Sequence, residues 1–177
     1  MRDTFIKYLQ TVDRDGIDEL IKKLDEWEFF TAPASSNHHC NHTGGLVEHS
    51  LNVLKYGLDL ADVMGLPCTD SVVLCSLGHD IGKSNGYYVP NYLSSGHQSE
   101  KKPFKINPEL RNKDHALRGI IMLTPIIKLL PDELDAILFH MGFYERSSAD
   151  YWKNPSPLAM CVHYADMMAT KYENGEL

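Results

Sequence analysis

Apolar residues recur every three or four positions along most of this 177-residue chain, the period of amphipathic helices rather than of strands. Ile17, Leu20, Ile21, Leu24 and Trp27 mark one helix, with Asp13 and Asp15 as its start signals. Leu46, Val47, Leu51, Val53, Leu54, Leu58, Ala61 and Met64 mark a longer one behind the pair Gly44-Gly45. Asp70 or Ser71 would cap the next, whose run Val72, Val73, Leu74, Cys75 and Leu77 is apolar nearly all round. A helix apolar on every side belongs in the middle of a bundle. Asp114 to Leu123 reads as a helix broken at Pro125, with Ile126 to Leu130 as a short continuation. Asp132 to His140 forms another, and Ser156-Pro157 caps a last helix running through Tyr172.

Two stretches escape this period. Thr31 to Gly45 and Ser84 to Lys113 are polar and rich in Gly, Pro, Ser and Asn. Loops of the second length inside a compact domain are usually functional. The expectation is one all-α domain over 1–177, with its core over 14–172 and segments 31–45 and 84–113 flanking a pocket. Hydrophobic residues make up 43% and charged residues 23%, which argues against a disordered tail or a fibrous repeat. A net charge of −7 makes the whole chain a poor partner for duplex nucleic acid or an anionic membrane, though not for a small anion in a local basic pocket. Cys40, Cys68, Cys75 and Cys161 are scattered without a CxxC pair, which removes zinc-finger spacing and argues against a disulfide framework. The N-terminus has no continuous apolar core, and the longest apolar stretch, Ile120 to Leu130, is interrupted and too short to span a bilayer. A cytoplasmic protein is expected.

Nine histidines in a small acidic chain shift attention to chemistry. His49 lies on the long helix, His79-Asp80 at the end of the apolar one, His115 at a helix start, His140 at a helix end, and Asp166 within the last helix. An isolated histidine near a helix end is more often a cap or a packed core residue than a ligand. The ordered set H…HD…H…H…D, drawn from successive helices, is what distinguishes these. A charged Asp80 after so apolar a run is costly to bury without a partner, and a metal supplies one. Imidazole with carboxylate suits one or two divalent ions such as Mn, Fe, Co, Ni or Zn, with Mg also compatible with the carboxylates. Bundle cores lined with inward His and acidic residues hold metals in this way.

Other residues carry two readings each. Lys83 in HDIGK is either a phosphate contact or a lysine at a helix C-terminus. His39 and His42 are candidate substrate contacts, and His38 reads as a solvated loop residue. His163 either orients Asp166 or packs, and His97 carries no signal. Lys101, Lys102, Lys105, Arg111, Lys113 and Arg118 form a basic stretch around His115 that is either an anion funnel or a solvated loop, with Arg118 as its strongest substrate-binding candidate. Tyr87, Tyr88, Tyr92 and Phe104 would either stack on a base or anchor their loop, and Phe143, Tyr144, Tyr151 and Trp152 pose the same choice.

The chain resembles the HD superfamily of metal-dependent phosphohydrolases, whose defining doublet His79-Asp80 matches, and the fuller order resembles its binuclear branch. The strings FFTAPAS, GGLVEHSLNVL, HDIGK, FHMG and HYADMMAT are similar to those of small bacterial and phage HD hydrolases, and the first two resemble HD domains of 3′-to-5′ exoribonucleases. The resemblance runs from about Gly16 to Tyr172, although Ser84 to Lys113 departs from the pattern. It implies an HD helical bundle in which His49, His79, Asp80 and Asp166 hold one metal. Asp80 would bridge to a second, completed by His115 and His140. It further implies hydrolysis of a phosphoester or phosphoanhydride in a nucleotide or short oligonucleotide by metal-activated water, with Asp80 and Lys83 as catalytic residues. Two alternatives stand beside this: an HD-fold di-iron oxygenase, which shares the ligand order, and a non-catalytic nucleotide-sensing HD module, against which the intact ligand set argues.

Overall fold

The computed structural model describes residues 1–67, 69–144 and 149–177, so Cys68 and the side chain of Tyr144 lie outside the described residues. Seven α-helices appear among these: α1 (Arg2–Leu9), α2 (Ile17–Glu26), α3 (Gly45–Met64), α4 (Thr69–Gly78), α5 (His115–Leu123), α6 (Pro131–Leu138) and α7 (Pro157–Glu173). Strands β1 (Tyr88–Pro90) and β2 (Phe104–Ile106) pair antiparallel, with Val89 opposite Lys105. The helical class expected from the period is what the chain adopts.

The core follows from the apolar pattern. α4 is buried from Ser71 through Gly78, as its unbroken apolar run demands, and packs against α3, α6 and α7. α3 buries Leu46, Val47, Val53, Leu54 and Ala61 on one face and packs most extensively against α7. Gly57 permits the α3–α4 approach, because a Cβ there would sit 2.6 Å from Ser76 Oγ. One carboxylate is held inside this core: fully buried Glu133 accepts from Arg14 at 2.6 Å, from Ser71 Oγ at 2.6 Å and from the Leu130 N–H at 2.7 Å.

Several local expectations need correcting. α1 lacks a long periodic run, yet Phe5 and Leu9 are buried and Phe5 meets Phe29 at 5.0 Å between ring centroids, so the packed core begins ahead of residue 14. α2 starts at Gly16 in the left-handed region rather than under Asp13 or Asp15, since glycine adopts that conformation without steric cost. Asp70 lies inside the first turn of α4, where its carboxylate accepts the Asp13 N–H at 3.1 Å. Ile126 to Leu130 does not continue α5, because Pro125 ends the helical ladder and Ile127 and Leu129 enter the core as irregular chain. Ser156 caps α7 as expected, accepting from the Ala159 N–H, and Asp114, read as the first helical residue, instead caps α5 by accepting from the Leu117 N–H. Segment 84–113 is not wholly irregular, since it carries the β1–β2 hairpin.

Candidate metal centre

Helix ends bring the ligand candidates together. α4 stops at Gly78, and His79-Asp80 turn into a 3-10 turn at Ile81–Lys83. Gly82 lets the start of α5 close onto that turn, because a Cβ there would collide with the His115 carbonyl. His115 is the first residue of α5, His140 follows the end of α6, and His49 and Asp166 face inward from α3 and α7. Six residues distant in sequence thereby meet around one carboxylate.

Asp80 stands at the middle, buried, with each oxygen turned to a different pair of rings. Oδ2 lies 3.7 Å from His49 Nε2 and 3.5 Å from His79 Nε2, and accepts from Lys83 Nζ at 2.6 Å. Oδ1 lies 3.2 Å from His115 Nε2 and 3.5 Å from His140 Nε2. Asp166 Oδ1 stands 3.1 Å from His49 Nε2.

The rings are held by their far nitrogens. His79 Nδ1 donates to the Ser76 carbonyl at 2.9 Å and His140 Nδ1 to the Ile137 carbonyl at 2.7 Å. His49 Nδ1 faces the Glu173 carboxylate at 3.0 Å, and Asn52 Nδ2 donates to that carboxylate at 2.8 Å. Holding Nδ1 as a donor leaves each Nε2 lone pair aimed at the centre, the arrangement in which histidines bind metals. Sequence reasoning missed Glu173 and Asn52. Their signal was faint: Glu173 closes the helix that carries Asp166, two turns beyond it, and Asn52 lies one turn after His49.

This donor set fits a cation. His115 Nε2 and His140 Nε2 converge to 3.2 Å, and His49 Nε2 and Asp166 Oδ1 to 3.1 Å. His49 Nε2, His79 Nε2 and Asp80 Oδ1 are buried without a hydrogen-bond partner, which is costly unless something else occupies the centre. The metal-capable groups of the described residues include His49-His79-Asp80, His79-His140-Asp166 and Asp80-His115-His140. Without a cation, burial opposes charge on the His49 ring, but Asp166 and Glu173 outweigh it and push its pKa up to about 10. Burial likewise raises Asp80, yet Lys83, His79 and the other rings hold it well below the usual carboxylate range. A carboxylate kept ionised amid imidazoles is what a divalent ion requires.

A cavity of about 550 Å³ opens onto the centre, lined among others by His39, Lys83, His140, His163 and Asp166. His39 packs against His49 with ring centroids 4.8 Å apart and planes tilted by 38°, and neither of its buried ring nitrogens has a partner. Burial, with His49 and Lys83 nearby, pulls its pKa down to about 4. His42 does not line this cavity. It is exposed, with Nε2 3.2 Å from Glu48 Oε2. Arg118 donates to the carbonyls of Gly82 at 3.1 Å and Asn85 at 3.4 Å, bracing the turn after the His-Asp doublet. His163 donates to the His140 carbonyl at 2.6 Å and packs on Trp152, so it braces His140 rather than Asp166. Lys101, Lys102, Lys105, Arg111 and Lys113 are exposed.

A helical fold closing on a buried His/Asp centre is the arrangement that defines the HD superfamily. The chain belongs to the HD domain family, whose model matches residues 46–171 and so takes in all six centre residues. Over 61 residues it is 41% identical to a protein of Methanocaldococcus jannaschii named dihydroneopterin 2′,3′-cyclic phosphate phosphodiesterase. That match covers 32% of this chain and 24% of the relative, so the chain spans about a quarter of the relative's length. No solved structure matches the chain significantly. No helix among the described residues is long and apolar enough to cross a membrane.

Proposed function

We propose that the chain hydrolyses a phosphoester or phosphoanhydride bond of a small phosphorylated substrate, a nucleotide or short oligonucleotide. In this reading His49, His79, Asp80 and Asp166 hold one divalent ion, and Asp80, His115 and His140 hold a second. The observation that carries it is the division of Asp80, with Oδ2 toward His49 and His79 and Oδ1 toward His115 and His140. Bound there, divalent ions supply Lewis-acid polarisation of a phosphoryl oxygen and a lowered pKa for the attacking water.

The chain's own residues contribute the rest. Lys83 keeps its ammonium on the cavity wall, paired to Asp80 and charged because that carboxylate outweighs the cost of burial. A fixed cation beside the centre favours the charge that builds on phosphoryl oxygens. His39, neutral because burial lowers its pKa to about 4, has one unpartnered N–H to offer a substrate oxygen. Arg118 holds the turn that carries Lys83, and His42 would act only at the outer edge. A relative named for a small cyclic phosphate diester supports a compact substrate. The acidic chain supports it too, being ill suited to a long polyanion.

The test is a hydrolysis panel on Mn-loaded protein, with Asp80→Asn beside the wild type. It holds nucleoside mono- and triphosphates, 2′,3′- and 3′,5′-cyclic nucleotides and a short RNA. Turnover of one class by wild type and its loss in Asp80→Asn is the expected result. No turnover of any member, together with oxygen uptake by iron-loaded protein, would overturn the reading in favour of an oxygenase.

A further inference from the structure

A second, smaller cavity lies on the other side of Lys83. It measures about 150 Å³ and is walled by Trp27, Thr31, Pro33, Tyr87, Tyr88 and Phe104, with Glu28, Asn85 and Gly86 also contributing. Lys83 lines both this cavity and the larger one over the metal centre, so the two are neighbours through a single side chain. Whole small-molecule sites occupy about 300–1,000 Å³, whereas a cavity near 150 Å³ is known to admit one benzene-sized ring. The smaller space is therefore suited to part of a ligand whose remainder lies over the centre.

Its walls are aromatic and its frame is firm. Tyr87 and Tyr88 meet edge to face at 4.9 Å, and Tyr87 is fixed by donation from its hydroxyl to the Lys113 carbonyl at 2.8 Å. The Asn85 N–H donates to the Trp27 carbonyl at 2.7 Å, tying the turn after Lys83 to the exit of α2. Asn107 Nδ2 donates to the Gly86 carbonyl at 3.0 Å, which ties β2 to the same turn. Glu28 and Asn85 are two of only three non-glycine residues at positive φ among the described residues, at 55° and 53°. Such conformations cost free energy and persist where surrounding structure enforces them, often at ligand sites. Here both fall on the wall of one small cavity. Their exposed side chains, a carboxylate and an amide, offer acceptors and a donor for ring heteroatoms.

We infer that this cavity is the ring subsite of the substrate. One six-membered ring of a planar nitrogen heterocycle, a pyrimidine or the inner ring of a purine or pterin, lies among Trp27, Tyr88 and Phe104, while the phosphoester lies across Lys83 at the metal centre. The inference rests on the proposed hydrolytic reading and adds the feature that selects among phosphoesters. Specificity then comes from the segment after α2 and the hairpin rather than from the helices that carry the ligands. Stacking on aromatic side chains tolerates different bases, so discrimination is sharpest between esters with a ring and esters without one.

The test separates binding from turnover. Calorimetric titration of metal-loaded protein with adenosine, guanosine and neopterin probes the cavity without any phosphate. Thr31→Trp, at an exposed wall position, fills the space, and Tyr88→Ala removes a wall; circular dichroism checks that both remain folded. At least one probe binds wild type, with affinity about tenfold or more weaker in both variants. The kcat/KM ratio of a nucleoside 2′,3′-cyclic phosphate over a ring-free cyclic phosphate ester falls by a similar factor. Failure of every probe to bind wild type, or equal binding to wild type and both variants, overturns the ring subsite whatever the turnover. Loss of probe binding in the variants of a protein that hydrolyses neither ester leaves the subsite standing and overturns the hydrolase reading.

Discussion

His79, Asp80 and His140 expose 1% of their surface or less, whereas every residue from Tyr92 to Gln98 is exposed. The two regions are joined by a few residues at HDIGK, yet they are built on different physics. Around the centre, each anchored ring is fixed by a backbone carbonyl or carboxylate that itself belongs to a helix end, so a ligand cannot move without disturbing the core. The hairpin buries little and is tied down by a handful of hydrogen bonds, including those of Asn91 and Gln98 to neighbouring carbonyls. The metal-capable centre thereby sits in the most tightly held part of the fold, and the hairpin tip in the part freest to vary.

Substitutions should separate these regions. The largest effect is expected at the division point. Asp80→Asn removes the charge that both halves of the centre share, and steady-state assay of the Mn-loaded protein should show at least about a 1,000-fold loss in kcat, at or above the range for removing one principal electrostatic stabiliser. Glu133→Ala removes the buried carboxylate that Arg14, Ser71 and the Leu130 N–H share and should cost about 3 kcal/mol in denaturant unfolding, the lower part of the range for breaking a buried pair. Burial would raise the Glu133 pKa, but Arg14, Ser71 and the Leu130 N–H bring it below its ordinary value. Its folded pKa is thus lower than its unfolded one. Its contribution is complete above the unfolded value near 4.5 and is lost as pH falls through the lower folded value. Unfolding midpoints of wild type and Glu133→Gln measured from pH 6 down to pH 3 should therefore converge.

Smaller effects sharpen the contrast. Glu173→Gln leaves the ligands in place but removes the carboxylate behind His49, and metal affinity by competition titration should fall about 10- to 100-fold. At the outer hairpin, Tyr92→Ala should change stability by no more than about 0.5 kcal/mol, as exposed positions do. A loss there comparable with that of Glu133→Ala would mean the hairpin is part of the cooperative core.

Much of this is legible in the sequence, and the reasons are local. α4 is legible because an apolar run has only one place to go, α5 because its period stops at Pro125, and α7 because Ser156-Pro157 is a strong cap. The six centre residues were legible as an ordered set, since ionisable residues at the ends of apolar helices are expensive without a shared partner. What escaped depends on tertiary approach. α1 carries only Phe5 and Leu9 as buried anchors, too few for a period. Gly16 starts α2 through its backbone, where side-chain signals pointed to Asp13 and Asp15. Glu173 meets His49 from across the bundle, 124 positions away. Arg118 was legible as a cation beside His115, but only the packing of α5 on Gly82 shows that its guanidinium spends two donors on backbone carbonyls.

The division of Asp80 between two ligand groups is the claim on which the rest depends. Metal content after Mn loading and exhaustive dialysis, measured by mass spectrometry on wild type and His140→Ala, tests it directly. The account predicts about two ions per chain in wild type and about one in His140→Ala, with circular dichroism unchanged. Equal metal content in the two folded proteins, or none in either, would contradict it.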